Sequence, residues 1–457
     1  MRQRRDSSSL ITTIFFISLL AGAVFIYKSS MFEREAPEVK INNMGYWNLK
    51  DPLHVNISDA SGIVEYSVTL TIDDKDYPIA NEKLMKVEKS VALDIKPPRD
   101  LFRLRTDKAK VTITARDASK WNFFHGNVAN QVINFVIDSK RPDVMDLANS
   151  YAIEKGGSAL VIFKAMDAHL KSVKIITNFG KDFYAQPFVK PGYYIALIAW
   201  PINQPNFRAT VEAEDMAGNK SQDYVKLYLV NREYQVSNLE LKDAFLDGKI
   251  EELSHDFEET QGVTDRIEKF RLINETVRAH NEDLIHKITS NVDQKKMITD
   301  FSIKPLHPLE NGAPVASYAD HRIYSYNGKV VSQAYHMGLD LASVHEANII
   351  SQNPGRVVFA KMNGLYGNNP IIDHGLGLYT LYGHCSSLNV NEGDEVKPGE
   401  VIGKTGMTGY AMGDHLHFGV LVQGIEVRPE EWMDTHWMKL NIEDVIRDGK
   451  TIVERQP

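Results

Sequence analysis

The sequence predicts a mainly β, multidomain protein: an N-terminal apolar helix, two β-sandwich modules, a helical segment and a final antiparallel β-rich domain. Three observations carry this reading. Short alternating apolar runs separated by turn residues fill positions 39–230 and return after Phe301, which is strand periodicity. Residues 10–27 contain no charge, and between positions 239 and 298 the apolar period lengthens to that of a helix. At 457 residues the chain is also too long for one hydrophobic core.

The first element follows Arg2, Arg4 and Arg5. Leu10 to Tyr27 is an uncharged stretch that, at ~1.5 Å per residue, roughly covers a ~30 Å hydrocarbon layer. Basic residues stay on the cytoplasmic side, so residues 1–9 read as a cytoplasmic end, 10–27 as a single-pass anchor in the inner (plasma) membrane, and the chain after Lys28 as lying outside it. Ala21-Gly22-Ala23 offers a signal-peptidase site, but Val24 to Tyr27 continues the apolar run beyond it; an uncleaved anchor is the preferred reading.

Two modules follow, 39–140 and 141–232. Ile57-Ser-Asp-Ala60 with Val64 to Val68 is echoed by Lys164 to Ala168 with Val173 to Ile176. Thr112-Ile-Thr-Ala-Arg-Asp-Ala118 is echoed by Thr210 to Ala217, so the chain repeats with a border near Arg141-Pro142. Asp215-Met-Ala-Gly-Asn219, leaving a strand for a tight turn, resembles the strand end of bacterial immunoglobulin-like domains, which implies immunoglobulin-like sandwiches acting as spacers or as docking sites for envelope proteins. A calcium site at Asp59, Asp117, Asp167 or Asp215 is the lesser alternative to turn hydrogen bonding.

In the segment 239–298, Ile267, Phe270, Asn274, Val277, Leu284 and Ile288 follow helical spacing, and Asp265 with Glu268 has the form of a capping box. Gly262 separates this helix from a shorter one around Lys242 to Phe257. Its apolar face either docks structurally on the neighbouring domains or covers a groove; docking is the preferred reading.

Charge and cysteine content narrow the function. A net charge of -8, with no dense Lys/Arg tract after the first residues, argues against a nucleic-acid partner. Cys385 is the only cysteine, so an intrachain disulfide and a cysteine-based zinc site are excluded. It reads as a small buried apolar residue.

The chemistry concentrates in 301–440. His336-Met-Gly-Leu-Asp340 is answered by His415-Leu-His417, where His415 to Val422 alternates as a half-buried strand and puts both imidazoles on one face. Imidazole and carboxylate are zinc ligands, and two histidines with one aspartate leave a fourth position open for water. Four candidate ligands thus stand on two segments. His345-Glu346 lacks the second histidine of a zincin helix, with Ile349 in its place. Gly399 to Thr405 is one residue short of a phosphate loop.

Together, His336-x-Gly-x-Asp340, Tyr382-Gly-His384, Gly403-x-x-Gly-x-Thr-Gly409 and His415-Leu-His-Phe-Gly419 resemble the lysostaphin-type (LytM) zinc metalloendopeptidases, over about Leu306 to Trp432. The resemblance implies one zinc per chain held by His336, Asp340 and His417, with His384 and His415 catalytic. Zinc lowers the pKa of bound water from ~15.7 to about 7, and imidazole, near ~6.5, is suited to accept or return the proton. Which histidine does which is left open. His374 reads as a turn residue and Tyr382 as packing; Tyr410 and Arg322 stand evenly between groove and structure. The implied substrate is peptidoglycan, cleaved at peptide cross-links, with a D-alanyl to diaminopimelate bond in a periplasm as the default. The alternative is a non-catalytic regulator of another cell-wall hydrolase.

Overall fold

The computed structural model describes residues 7–43, 45–97 and 106–456. Arg2, Arg4 and Arg5, on which the cytoplasmic end was read, lie outside the described residues. The protein is mainly β and divides into two compact units: residues 1–141 with 214–220, and residues 142–213 with 221–457.

In the first unit, Ser7–Lys28 is helical, and Leu10–Lys28 is long and apolar enough to cross a membrane. Its apolar side chains are exposed, as expected of a helix without a protein neighbour around it. The following β segment forms one hydrogen-bonded six-stranded sheet, where the sequence reading had the two sheets of a sandwich. The sheet is built on a long hairpin, Leu53–Ile72 against Lys75–Ile95. The register slips between Ser58 and Ile63, at Gly62 (φ 92°), so the first half of Leu53–Ile72 pairs with Glu38–Ile41 and the second half with Lys108–Asp117. Bending one strand lets a single sheet supply two faces of a core, here Trp47, Val55, Ile57, Val68, Ile113 and Phe135. Alternation in sequence is identical for the two arrangements.

Residues 143–224 form two four-stranded sheets, most of whose residues belong to the second unit. One is ordered Gln186–Pro187, Tyr193–Ala199, Ser158–Met166, Asp143–Asn149; the other, Asp182–Tyr184, Leu170–Thr177, Ala209–Asp215, Lys220–Tyr224. Ser158–Met166 is buried almost throughout, because both of its faces are covered.

The apolar core of this module runs without a break into the last domain: Phe163, Ile195 and Leu197 belong to the same cluster as Leu339, Phe418 and Trp432. The C-terminal helix Asp444–Arg455 lays Val445, Ile446, Gly449 and Val453 on this core. A Cβ at Gly449 would come within 2.4 Å of Ile162, so glycine permits the close approach.

The last domain is an eight-stranded, antiparallel sheet ordered Ala313–Ala316, Leu339–Ala342, Leu416–Val422, Leu378–Gly383, Asn368–Asp373, Gly355–Met362, Glu395–Val396, with Ile425–Val427 on Leu416–Val422. Beside it, Val236–Glu240 pairs in parallel with Asp320–Tyr326, which pairs in turn with Lys329–His336.

The helical segment comprises consecutive turns over Asp243–Ser254 and over Arg266–Thr289, with Gly262 at φ 77° between them. Asp265 accepts from the amides of Ile267 and Glu268, whereas the Glu268 carboxylate turns to Arg271; the cap is therefore the aspartate alone. Leu246, Ile250, Phe270, Ile273 and Val277 bury their side chains against Tyr324 and Leu365 of the last domain.

Candidate active site

Register brings the site together. Asp340, in Leu339–Ala342, lies directly opposite His417 in Leu416–Val422, and Gly383 lies opposite His417 on its other side. His336 ends the strand Lys329–His336, two residues before Gly338. A Cβ at Gly338 would stand 2.5 Å from Cε1 and Nε2 of His417, so only glycine lets the chain pass at this point.

The result is a triangle of ligand atoms. His336 Nε2 to Asp340 Oδ1, His336 Nε2 to His417 Nδ1 and His417 Nδ1 to Asp340 Oδ1 are each 3.0 Å. His336 Nδ1 donates to the carbonyl of Ser317 at 2.9 Å. A carbonyl only accepts, so the proton of neutral His336 sits on Nδ1 and its Nε2 lone pair faces the triangle. Three electron-rich atoms this close repel one another unless a proton or a cation lies among them. A point ~2 Å from all three exists, a distance at which imidazole and carboxylate donors hold a small divalent cation. Nε2 of His417 is buried with no hydrogen-bond partner among the described residues. The Asp340 carboxyl is held well below the usual carboxylate range: burial opposes ionisation, and the His336 and His417 contacts outweigh it. His336, Asp340 and His417 are all buried. The donor set therefore fits a divalent metal.

Two further imidazoles face the same space. His384 follows Gly383 in the left-handed region, φ 65°, where its amide donates to the carbonyl of Tyr366 at 2.7 Å. Its Nδ1 donates to the carbonyl of Thr408 at 2.8 Å, which frees Nε2 as an acceptor. Burial, then the neighbouring His417 and His415, push His384 down to about 3. Burial likewise pushes His417 down to about 4, against the pull of Asp340. His415 Nδ1 donates to Gly413 at 2.8 Å, and its Nε2 lies 3.6 Å from Asp340 Oδ2. The His384 and His415 rings are 4.8 Å apart. His415 stands outside the 3.0 Å triangle.

A cavity of about 180 Å3 opens over these groups. Arg322 and Tyr410 line it, whereas Tyr382 is buried in the core with its hydroxyl hydrogen-bonded to that of Thr380. His374 donates from Nδ1 to Pro354 and meets Thr380 through Nε2, a structural arrangement. Cys385 is buried.

Sequence reasoning missed one group that lines the cavity: Arg278, on the helix Arg278–Thr289. The same helix grips the loop 363–366, where Asn281 Oδ1 accepts from the Leu365 amide at 2.9 Å. Leu365 and Tyr366 line the cavity, and the Tyr366 ring meets His417 edge-on at 5.4 Å. Amphipathic spacing signalled that the helix packs on something; its arginine lay on the polar face and carried no motif.

Residues 334–429 match the model of peptidase family M23. The chain carries an M23 peptidase domain. The chain is 38% identical over 94 residues to DD-carboxypeptidase/endopeptidase Mpg of Neisseria meningitidis serogroup B, covering 21% of this chain and 22% of that protein. Stage II sporulation protein Q of Bacillus subtilis is 34% identical over 101 residues, 21% of this chain and 36% of that one. Peptidoglycan DD-endopeptidase ShyA of Vibrio cholerae is 31% identical over 119 residues, 26% and 27% respectively. The chain thus spans between about a fifth and just over a third of the length of these relatives. All five clustered site residues fall inside the M23 match, whereas Arg278 and Arg322 precede it.

Proposed function

We propose that the protein is a membrane-anchored zinc metalloendopeptidase that hydrolyses peptide cross-links of peptidoglycan outside the plasma membrane. The convergence of His336 Nε2, Asp340 Oδ1 and His417 Nδ1 carries this reading, beneath a cavity that also receives His384 and His415. The relatives named as peptidoglycan endopeptidases support the substrate class, and the helix Leu10–Lys28 supports the anchor.

His336, Asp340 and His417 would hold one zinc ion. Zinc there would supply a Lewis acid that polarises the scissile carbonyl and makes adjacent water acidic. The chain's own residues do the rest. Asp340 stays ionised and offsets the metal's charge. His384, held neutral by burial, accepts a hydrogen bond at Nε2 and orients the attacking water. That leaves His415 to carry the proton at Nε2 from the water to the departing amine, with Asp340 Oδ2 3.6 Å away. The Thr408 and Gly413 carbonyls fix both rings in the tautomer this needs.

Purified peptidoglycan incubated with the zinc-loaded full chain should release peptides with new amine and carboxylate ends by mass spectrometry, and chelation or His415→Ala should suppress them. The similarity to stage II sporulation protein Q, named for sporulation and not for hydrolysis, keeps a second reading: a non-catalytic regulator. An unchanged muropeptide profile with the zinc-loaded protein, together with stimulation of another hydrolase, would establish the regulator instead.

A further inference from the structure

Resting on the peptidase reading, we propose that Arg278 is a specificity-determining residue that receives a carboxylate of the peptide substrate at the junction of two cavities. Arg278 and Met337 line both the cavity over the candidate metal site and a second one of about 490 Å3, walled by the second β module, the helical segment and the last domain. Phe179, Asn203 and Glu426 represent these walls together with Glu282 and His286 from the helix. A substrate chain crossing from one cavity to the other passes the guanidinium.

The group is built for this. Arg278 Nε donates to the Asn274 carbonyl at 3.1 Å and Nη2 to Asn274 Oδ1 at 3.0 Å. Asn274 is itself buried and donates to Ser332 Oγ at 2.8 Å, and that hydroxyl donates to Glu275 at 2.9 Å. Two of the five N–H groups are thereby committed, leaving both on Nη1 and one on Nη2. The nearest acid, Glu282, lies 3.9 Å from Nη1, beyond hydrogen-bond range. Burial pushes Glu282 up to about 7, so it neutralises Arg278 incompletely. The side chain is 18% exposed. A mostly buried cation with free, pre-aligned donors is completed by a bidentate anion, and a carboxylate has that geometry. Among the residues lining the first cavity, the only acid is Asp340, which belongs to the ligand triangle.

The test uses the zinc-loaded full chain and two peptides: a cross-linked stem peptide with free α-carboxylates, and the same peptide with those groups amidated. The wild type should prefer the acid roughly 10- to 100-fold in kcat/KM, mainly through KM. Arg278→Gln should collapse that preference to near unity while leaving the zinc content close to wild type. Arg278→Lys, which keeps the charge and loses the fork, should restore part of it. Calorimetric titration of both peptides reads the same preference in binding, even if no bond is cut. Failed hydrolysis with an intact acid preference would count against the peptidase reading and support Arg278. Equal losses on both peptides in Arg278→Gln, or equal wild-type affinity for the two, would overturn the proposal.

Discussion

Glu431 Oε2 accepts the backbone amide of Ser158 at 3.0 Å across 273 residues of sequence, and the Ser158 hydroxyl approaches it at 3.3 Å. This links the M23 domain's end to a central strand of the preceding β module. Burial pushes Glu431 up to about 8, against the lowering effect of the Ser158 amide, and its Oε1 has no partner. An acid whose folded pKa is raised contributes stability that is whole below its unfolded value, ~4.3, and is lost as pH climbs through about 8. The melting temperature should therefore carry a falling component between those limits. Glu431→Gln should remove it and gain about 1–3 kcal/mol at pH 8. Parallel melting curves of variant and wild type from pH 5 to 8.5 would falsify this.

His374 works in the opposite direction. Burial lowers it to about 4, and both ring nitrogens are engaged, with the Pro354 carbonyl and Thr380. A base with a depressed folded pKa contributes stability that is present above its unfolded value, ~6.5, and lost as pH falls toward about 4. Denaturant unfolding should show this acid-side loss, and His374→Gln should flatten it. A variant that loses stability as steeply as wild type over that window sinks the assignment.

Metal content should separate the proposed ligand histidines from the proposed catalytic ones. His417→Ala should abolish zinc retention, and chelation should do the same for wild type, with a lowered melting temperature. His384→Ala should keep near-normal zinc while turnover drops by roughly 100-fold or more. Elemental analysis beside muropeptide cleavage checks both; full zinc occupancy in His417→Ala would reject that ligand.

Gly338 tests the geometry without replacing a proposed ligand. A methyl group would stand 2.5 Å from the His417 ring and 2.9 Å from the Phe418 carbonyl, so Gly338→Ala should displace the imidazole. The expected readout is a tenfold or greater fall in zinc affinity with an unaltered far-UV spectrum. Wild-type affinity would show that the strand shifts to make room.

The loop held by Asn281 offers a fifth check. Asn281→Ala removes the acceptor of the Leu365 amide, and the loop carries Tyr366, whose carbonyl receives the His384 amide. Reduced kcat with unchanged zinc content is expected. Equal kcat would place the helix outside the positioning of His384.

Much of the site was legible because His336, Asp340 and His417 lie on strands, His384 and His415 stand one residue beyond strand ends, and the spacing is short with restrictive residue types. His336 to Asp340 and His415 to His417 are each a local pattern, and pairing them needs only antiparallel register. Arg278 was not legible, because a helix face states how much it buries and not what it buries against. The shared core was hidden for a related reason: Phe163 and Trp432 each read as an ordinary core residue, and nothing local tells that they serve one core. The single sheet of the first β segment escaped because a bend at Gly62 exchanges strand partners without disturbing alternation.

The continuity of Ile162, Phe163 and Leu197 with Phe418, Trp432 and Val453 sets the smallest heritable cassette of this enzyme-like half. A fragment cut at the edge of the M23 match would carry an uncovered apolar face into solvent and should aggregate. Recombination that exchanged the peptidase domain alone would meet the same penalty, so the two segments can be shuffled between proteins only as a pair. The chain passes from the first unit to the second near Pro142, well upstream of the clustered site residues, and Glu214–Lys220 groups with the first unit.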